Sequence, residues 1–169
     1  MNRLQRIRDG RVLNSTGFGK AFAQVCASDD MLAFMPDFGF RDGGCLSLSL
    51  AVRTWLGPDR AEIRFAGRSE HLDHAVVEIE VDGIPLYLDA DGLGTWNDVA
   101  EKMRRLEFRP AADLVDAGIE EAARQGIVDD GRHAPLAEVL ASRLGMAVPS
   151  AAWLDPGRWM AETSAGPAP

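Results

Sequence analysis

Residues 42–58 read D-G-G-C-L-S-L-S-L-A-V-R-T-W-L-G-P, and this stretch decides the fold. Gly43-Gly44 makes a tight turn that delivers Cys45 into the first turn of a mostly apolar helix. Gly57, with Pro58 behind it, stops that helix. The backbone N–H groups of a first helical turn lack intrahelical partners and favour a nearby anion, so a thiol at position 45 ionises more readily than a free one. Leu48, Ser49, Val52 and Leu56 point the same way as Cys45 round the helix, while Leu46, Leu50, Ala51 and Trp55 make its other sides apolar. A helix apolar on most faces is a central one.

Beyond Pro58 the hydrophobic period changes from 3.6 to 2. Ala61–Phe65 alternates as a strand, residues 67–73 read as a polar connection, and His74–Val81 alternates again. Asp82-Gly83 is a strong two-residue hairpin signal, and Ile84–Ala90 returns on the other side. That turn places 81 opposite 84, 79 opposite 86, 76 opposite 89 and 74 opposite 91. One face then carries His74, Val76, Glu78, Glu80, Tyr87, Asp89 and Asp91. The other carries Ala75, Val77, Ile79, Val81, Ile84, Leu86 and Leu88, and is the face expected to be buried. Asp91 lies directly across from His74, with Asp89 its diagonal neighbour at about 7–8 Å between backbones, so either carboxylate can orient the ring. Asp89 is preferred because it ends the apolar run Leu86-Tyr87-Leu88, whereas Asp91-Gly92 reads as the turn leaving the strand.

The remainder supplies helices. Ser15 or Thr16 caps a helix from about Phe18 to Met35, which Ser28-Asp29-Asp30 can split in two; Cys26 falls on its apolar face as a core thiol. Gly17-Phe18-Gly19-Lys20 is no phosphate loop, since Asn14 and Ala21 stand where that motif needs Gly and Ser or Thr. Pro36–Gly44 is the loop feeding the central helix. Thr95 caps another helix with Asp98 as its capping-box partner and Val99, Met103 and Leu106 as its stripe. A strand is expected around Leu106–Arg109 and helices over Ala111–Gln125 and Pro135–Leu144, giving one domain over residues 1–160 and a disordered tail over 161–169.

The composition limits the partners. With 46% hydrophobic residues the chain can build a sizeable core, and 26 carboxylates against 18 basic residues argue against nucleic acid. The N-terminus lacks a signal peptide's apolar run, and no stretch approaches the ~18 apolar residues of a membrane span. A cytoplasmic protein with two free thiols is expected, with no membrane partner. His71-x-x-His74 with Asp73, Asp89 and Asp91 has plausible metal-ligand spacing, but no second ligand cluster or H-E-x-x-H accompanies it. The expectation is therefore no metal and no cofactor.

A Cys opening a central helix, then a His opening a strand, then an Asp ending the next strand resembles the papain-like superfamily in its broad sense. Within it, H-x-x-V-E-I-x-x-D-G-x-x-L-Y-L-D-A from His74 to Ala90 is similar to the bacterial transglutaminase-like and NlpC-type branches. The resemblance spans residues 40–92. It implies an α+β, papain-like fold, with the Cys-bearing helix packed on a small antiparallel sheet; the additional C-terminal helices come from the reading of residues 111–144 above and not from the resemblance. It also implies thiol-based acyl chemistry on a peptide or small amide, with Cys45 as nucleophile, His74 as general base and acid, and Asp89 as the orienting carboxylate. Papain's own C-G-[SA]-C-[WY] string is absent, and no Gln shortly precedes Cys45 to complete an oxyanion hole. The implied activity is a thiol hydrolase working through an acyl-enzyme. An amine or thiol acceptor makes it an acyltransferase, and a non-catalytic binding or regulatory module on the same scaffold is the alternative.

Overall fold

Gly44 leads into a helix that starts at Cys45, and the sheet is laid against that helix. The computed structural model describes residues 17–35, 40, 43–68, 70–106, 113–145 and 149–154. In chain order the elements are α1 (Gly17–Cys26), α2 (Asp29–Leu32), α3 (Cys45–Leu56), β1 (Ala61–Arg68), β2 (His71–Val81), β3 (Ile84–Asp89) and β4 (Gly92–Gly94). They continue with α4 (Trp96–Leu106), β5 (Asp113–Val115), α5 (Ile119–Arg124), α6 (His133–Leu144) and a short 3-10 turn at Ala151–Leu154. The chain is an α+β fold in which α3 packs on a five-stranded antiparallel sheet of order β4-β3-β2-β1-β5, with α6 on the same side as α3.

All of α3 except Leu50, Arg53 and Thr54 is buried, as its greasy circumference requires. Leu48, Val52 and Leu56 meet Val77, Ile79, Val81, Leu86 and Leu88 from the sheet, Phe18 and Phe22 from α1, and Leu136 and Leu140 from α6. Trp55 adds a directional tie, its indole N–H donating to the Gly145 carbonyl at 2.7 Å. Phe18 stacks on Trp153 with ring centroids 3.9 Å apart, which brings the 3-10 turn into the core. The predicted long N-terminal helix divides at Ala27-Ser28 into α1 and α2, and Cys26 is buried as expected.

The β2–β3 hairpin has the expected register, with Val81 opposite Ile84, Ile79 opposite Leu86 and Val77 opposite Leu88. Asp82 and Gly83 both have positive φ, 51° and 74°, the mark of a tight primed turn. The second face of the sheet is also covered: Ala66, Val76 and Tyr87 pack against Val99 and Met103 of α4. Thr95 and Asp98 form the expected cap. The Thr95 N–H and hydroxyl donate to Asp98 Oδ2, each at 2.7 Å, and the Asp98 N–H donates to Thr95 Oγ1 at 3.3 Å. Thr95→Ala should cost about 1 kcal/mol, read as a lower urea midpoint at unchanged slope.

Several expectations are corrected. Residues 67–73 are not a polar connection: β1 runs on to Arg68 and β2 begins at His71, because a bulge lets the ladder continue and buries Leu72. His74 thus lies inside β2 rather than opening it. β3 ends at Asp89, and Ala90-Asp91 forms the turn into β4, where Gly92 pairs back with Asp89; Asp91 is not in the ladder across from His74. The helix expected over 111–125 shrinks to Ile119–Arg124, since Asp-Leu-Val at 113–115 pairs as β5 with β1 and Gly118 caps α5. Leu106 ends α4 rather than opening a strand. The expectations for residues 1–16, 107–109 and 161–169, and for most of the 36–44 loop, lie outside the described residues. No helix among the described residues is long and apolar enough to cross a membrane.

Candidate active site

Three elements converge at one end of the β2–β3 hairpin: the start of α3, the bulged part of β2 and the last residue of β3. Cys45 enters from Gly44 as the first residue of α3 and is 5% exposed. Burial pushes its thiol pKa up. A hydrogen bond with His74, the charge of that ring and hydrogen bonds from the Ala75 and Leu46 backbone N–H groups pull it down and win, leaving the thiol below its ordinary value. Cys26 goes the other way. Burial first, then the negative charge of Asp91, raises its pKa far above that of a free thiol despite the contact with its own N–H. One cysteine is poised to ionise and the other is not.

A bulge aims His74. Ala66 pairs with His74, but the next residue of β1, Gly67, pairs with Leu72, so Asp73 is the extra residue of β2. The extra residue puts Leu72 and Ala75, three apart, in one cluster with Cys45, Leu46, Ile63 and Phe65. Gly67 makes this possible. Its φ is +149°, and a Cβ there would stand 2.5 Å from the His71 carbonyl oxygen and 2.9 Å from the Asp73 nitrogen. Gln125 steadies the same segment by accepting the Leu72 N–H on Oε1 at 2.7 Å.

Asp89 is 8% exposed, and its Oδ2 lies 3.4 Å from Nε2 of His74. The three residues singled out in the sequence, Cys45, His74 and Asp89, therefore come together, although His74 Nε2 is buried without a hydrogen bond among the described residues. The oxygens of Asp89 are engaged elsewhere. Oδ1 accepts the Asp91 N–H at 2.9 Å, and Oδ2 is held by the Lys102 ammonium, which also lies 3.1 Å from Asp91 Oδ2. Asp91 thus supports Asp89 from the turn instead of facing the imidazole.

Lys102 was not singled out in the sequence, yet a signal was present. It falls three residues after Val99 and four before Leu106, on the helix face that otherwise reads as apolar. A cavity of about 60 Å3 lies beside it, lined by Asp89, Asp91, Asp98 and Tyr87 among others. A larger groove of about 350 Å3, lined by Ile84, Pro85, Tyr87, Trp96 and Asn97, opens at the other end of β3, away from Asp89.

The remaining histidines are accounted for. His71 is exposed and lies 3.0 Å from Asp73, and no group of three metal-ligating side chains occurs among the described residues. His133 is the first residue of α6 and pairs with Asp129 at 2.7 Å, while the other Asp129 oxygen accepts the buried Ser47 hydroxyl at 2.8 Å. Each Asp129 oxygen holds one partner, so the trio ties α3 to the start of α6. No family model matches the chain, and neither the curated proteins nor the solved structures give a match.

Proposed function

We propose that the chain is a thiol enzyme of papain-like fold that attacks the acyl carbon of a peptide or small amide through Cys45. The observation that carries this reading is the Cys45–His74 contact at a helix start, where the thiol is held below its ordinary pKa in spite of burial. In the first step Sγ bonds to the carbonyl carbon, the C–N bond breaks, and the His74 imidazolium gives its proton to the leaving amine. In the second, His74 takes a proton from water, the hydroxide attacks the thioester, and the carboxylic acid leaves as the thiolate and imidazolium re-form. An amine acceptor in place of water would make the same site an acyltransferase. Asp89, with Oδ2 3.4 Å from Nε2, is the carboxylate that would steady the charged ring, and the N–H of Cys45, at the head of α3, would serve as one oxyanion donor.

A second reading, a non-catalytic binding module, is favoured by the burial of Cys45, His74 and Asp89 and by the claim of Lys102 on Asp89. Iodoacetamide separates the two. For the enzyme, Cys45 is expected to be alkylated at neutral pH well ahead of Cys26, at a rate that levels off below the pH at which a free thiol's would. His74→Ala should slow it. Alkylation of Cys45 no faster than that of Cys26, identified by peptide mass mapping, would establish the module instead.

A further inference from the structure

The described arrangement leaves one imbalance. His74 Nε2 is buried and makes no hydrogen bond among the described residues, while the carboxylate 3.4 Å away is held by an ammonium group. We infer that Lys102 is a positioning residue that draws Asp89 away from His74 and so limits how much of Cys45 stands as thiolate. This deepens the proposed function and rests on the Cys45–His74 pair being reactive.

The charged and titratable groups at this end of the hairpin include Cys45 from α3, Asp73 beside His74 in β2, Asp89 at the end of β3, Asp91 from the turn after it, and Lys102 and Asp98 from α4. Asp98 is committed to the Thr95 cap. Lys102 bridges Asp89 and Asp91, so its positive charge offsets the carboxylate nearest the imidazole. An imidazolium beside a neutralised carboxylate is less stable than one beside a free carboxylate. Moving the thiol proton to His74 creates that imidazolium, so Lys102 opposes the transfer. Lys102 is four-fifths buried as a side chain and held by two carboxylates, so its charge is not fully screened by solvent. The contact is made through α4, whose apolar residues pack in a cluster separate from that of Cys45. Any ligand or modification that displaced the ammonium would release Asp89 to the ring.

The test is iodoacetamide alkylation of Cys45 at pH 7 in the full chain carrying Lys102→Met, Lys102→Arg, Asp89→Asn or Lys102→Met with Asp89→Asn, with thermal unfolding measured for each. Lys102→Met should raise the rate on the order of tenfold, the effect of about one pKa unit. Lys102→Arg should stay near wild type, because it keeps the charge. The double variant should be as slow as Asp89→Asn alone, because the gain passes through that carboxylate. A lysine that only braces α4 would give a slower or unchanged rate in Lys102→Met, and that result overturns the inference. If His74→Ala leaves the Cys45 rate untouched in the wild-type background, the reactive pair itself fails and the inference falls with it. A rate dependent on His74 but indifferent to Lys102 overturns the inference alone.

Discussion

Cys45→Ala and His74→Ala are each expected to abolish turnover of an activated acyl substrate such as a nitrophenyl ester, by roughly 10^3-fold or more, about 4 kcal/mol of transition-state stabilisation. In the proposed mechanism the thiol forms the covalent bond and the ring moves its proton, so the two losses should not add: the double variant should be as inactive as either single one. Folding should survive both changes. Cys45→Ala removes one sulfur from an eight-residue cluster that keeps Leu46, Ile63, Phe65 and Leu72. His74→Ala leaves Asp89 held by Lys102 and by the Asp91 N–H, so no buried carboxylate is stranded. Asp89→Asn should be the milder change, by on the order of 10–100-fold, and Asp91→Asn milder still, because Asp91 supports Asp89 through a main-chain N–H that the substitution keeps. Far-UV circular dichroism and unfolding midpoints check the fold, and an acyl adduct on residue 45 seen by mass spectrometry checks the chemistry. Retained turnover in Cys45→Ala would end the catalytic proposal.

Much of this arrangement is legible in the residues. The Gly-Gly-Cys turn, the apolar run to Trp55 and the Gly-Pro stop define α3 without reference to anything distant, and Asp82-Gly83 fixes the hairpin register to the residue. From those two local signals the approach of Cys45, His74 and Asp89 follows, because one helix start and one hairpin end are brought to the same edge. What the pattern does not carry is set by contacts distant in sequence. The bulge at Asp73 has no periodic signature: it depends on Gly67 of the neighbouring strand, and a polar stretch from 67 to 73 reads as loop until that partner is known. β4 is three residues with two glycines, and β5 is three residues whose pairing with β1 outweighs a helical reading of 111–125. Asp91 falls out of register because β3 turns back at Ala90 one step earlier than the alternation suggests. Lys102 escapes notice for a different reason: a lysine on a helix face is ordinarily solvated, and only the carboxylates at the end of β3 make it a partner.

Gly67→Ala tests whether that bulge holds the site. The backbone at Gly67 has φ +149°, where an L side chain is strained, and the added Cβ would meet main-chain atoms of His71 and Asp73 rather than a side chain that could turn aside. Something in the bulge must therefore shift, and the expected cost is about 3 kcal/mol, from a strained φ together with a backbone clash. In a chain of this size that is a fall of roughly 10 °C in Tm. The shift would land on the residues just before His74, so Cys45 alkylation should slow towards that of His74→Ala even at temperatures where the variant is folded. Gly83→Ala is the control: φ is +74°, nothing lies within 4 Å of its Cβ, and the turn is at the far end of β2 from His74. It should cost only about 1 kcal/mol and leave alkylation unchanged. If the two alanine variants lose the same stability and label Cys45 at the same rate, the close approach at Gly67 does not aim His74, and the orientation of the ring must come from Asp89 and Cys45 alone.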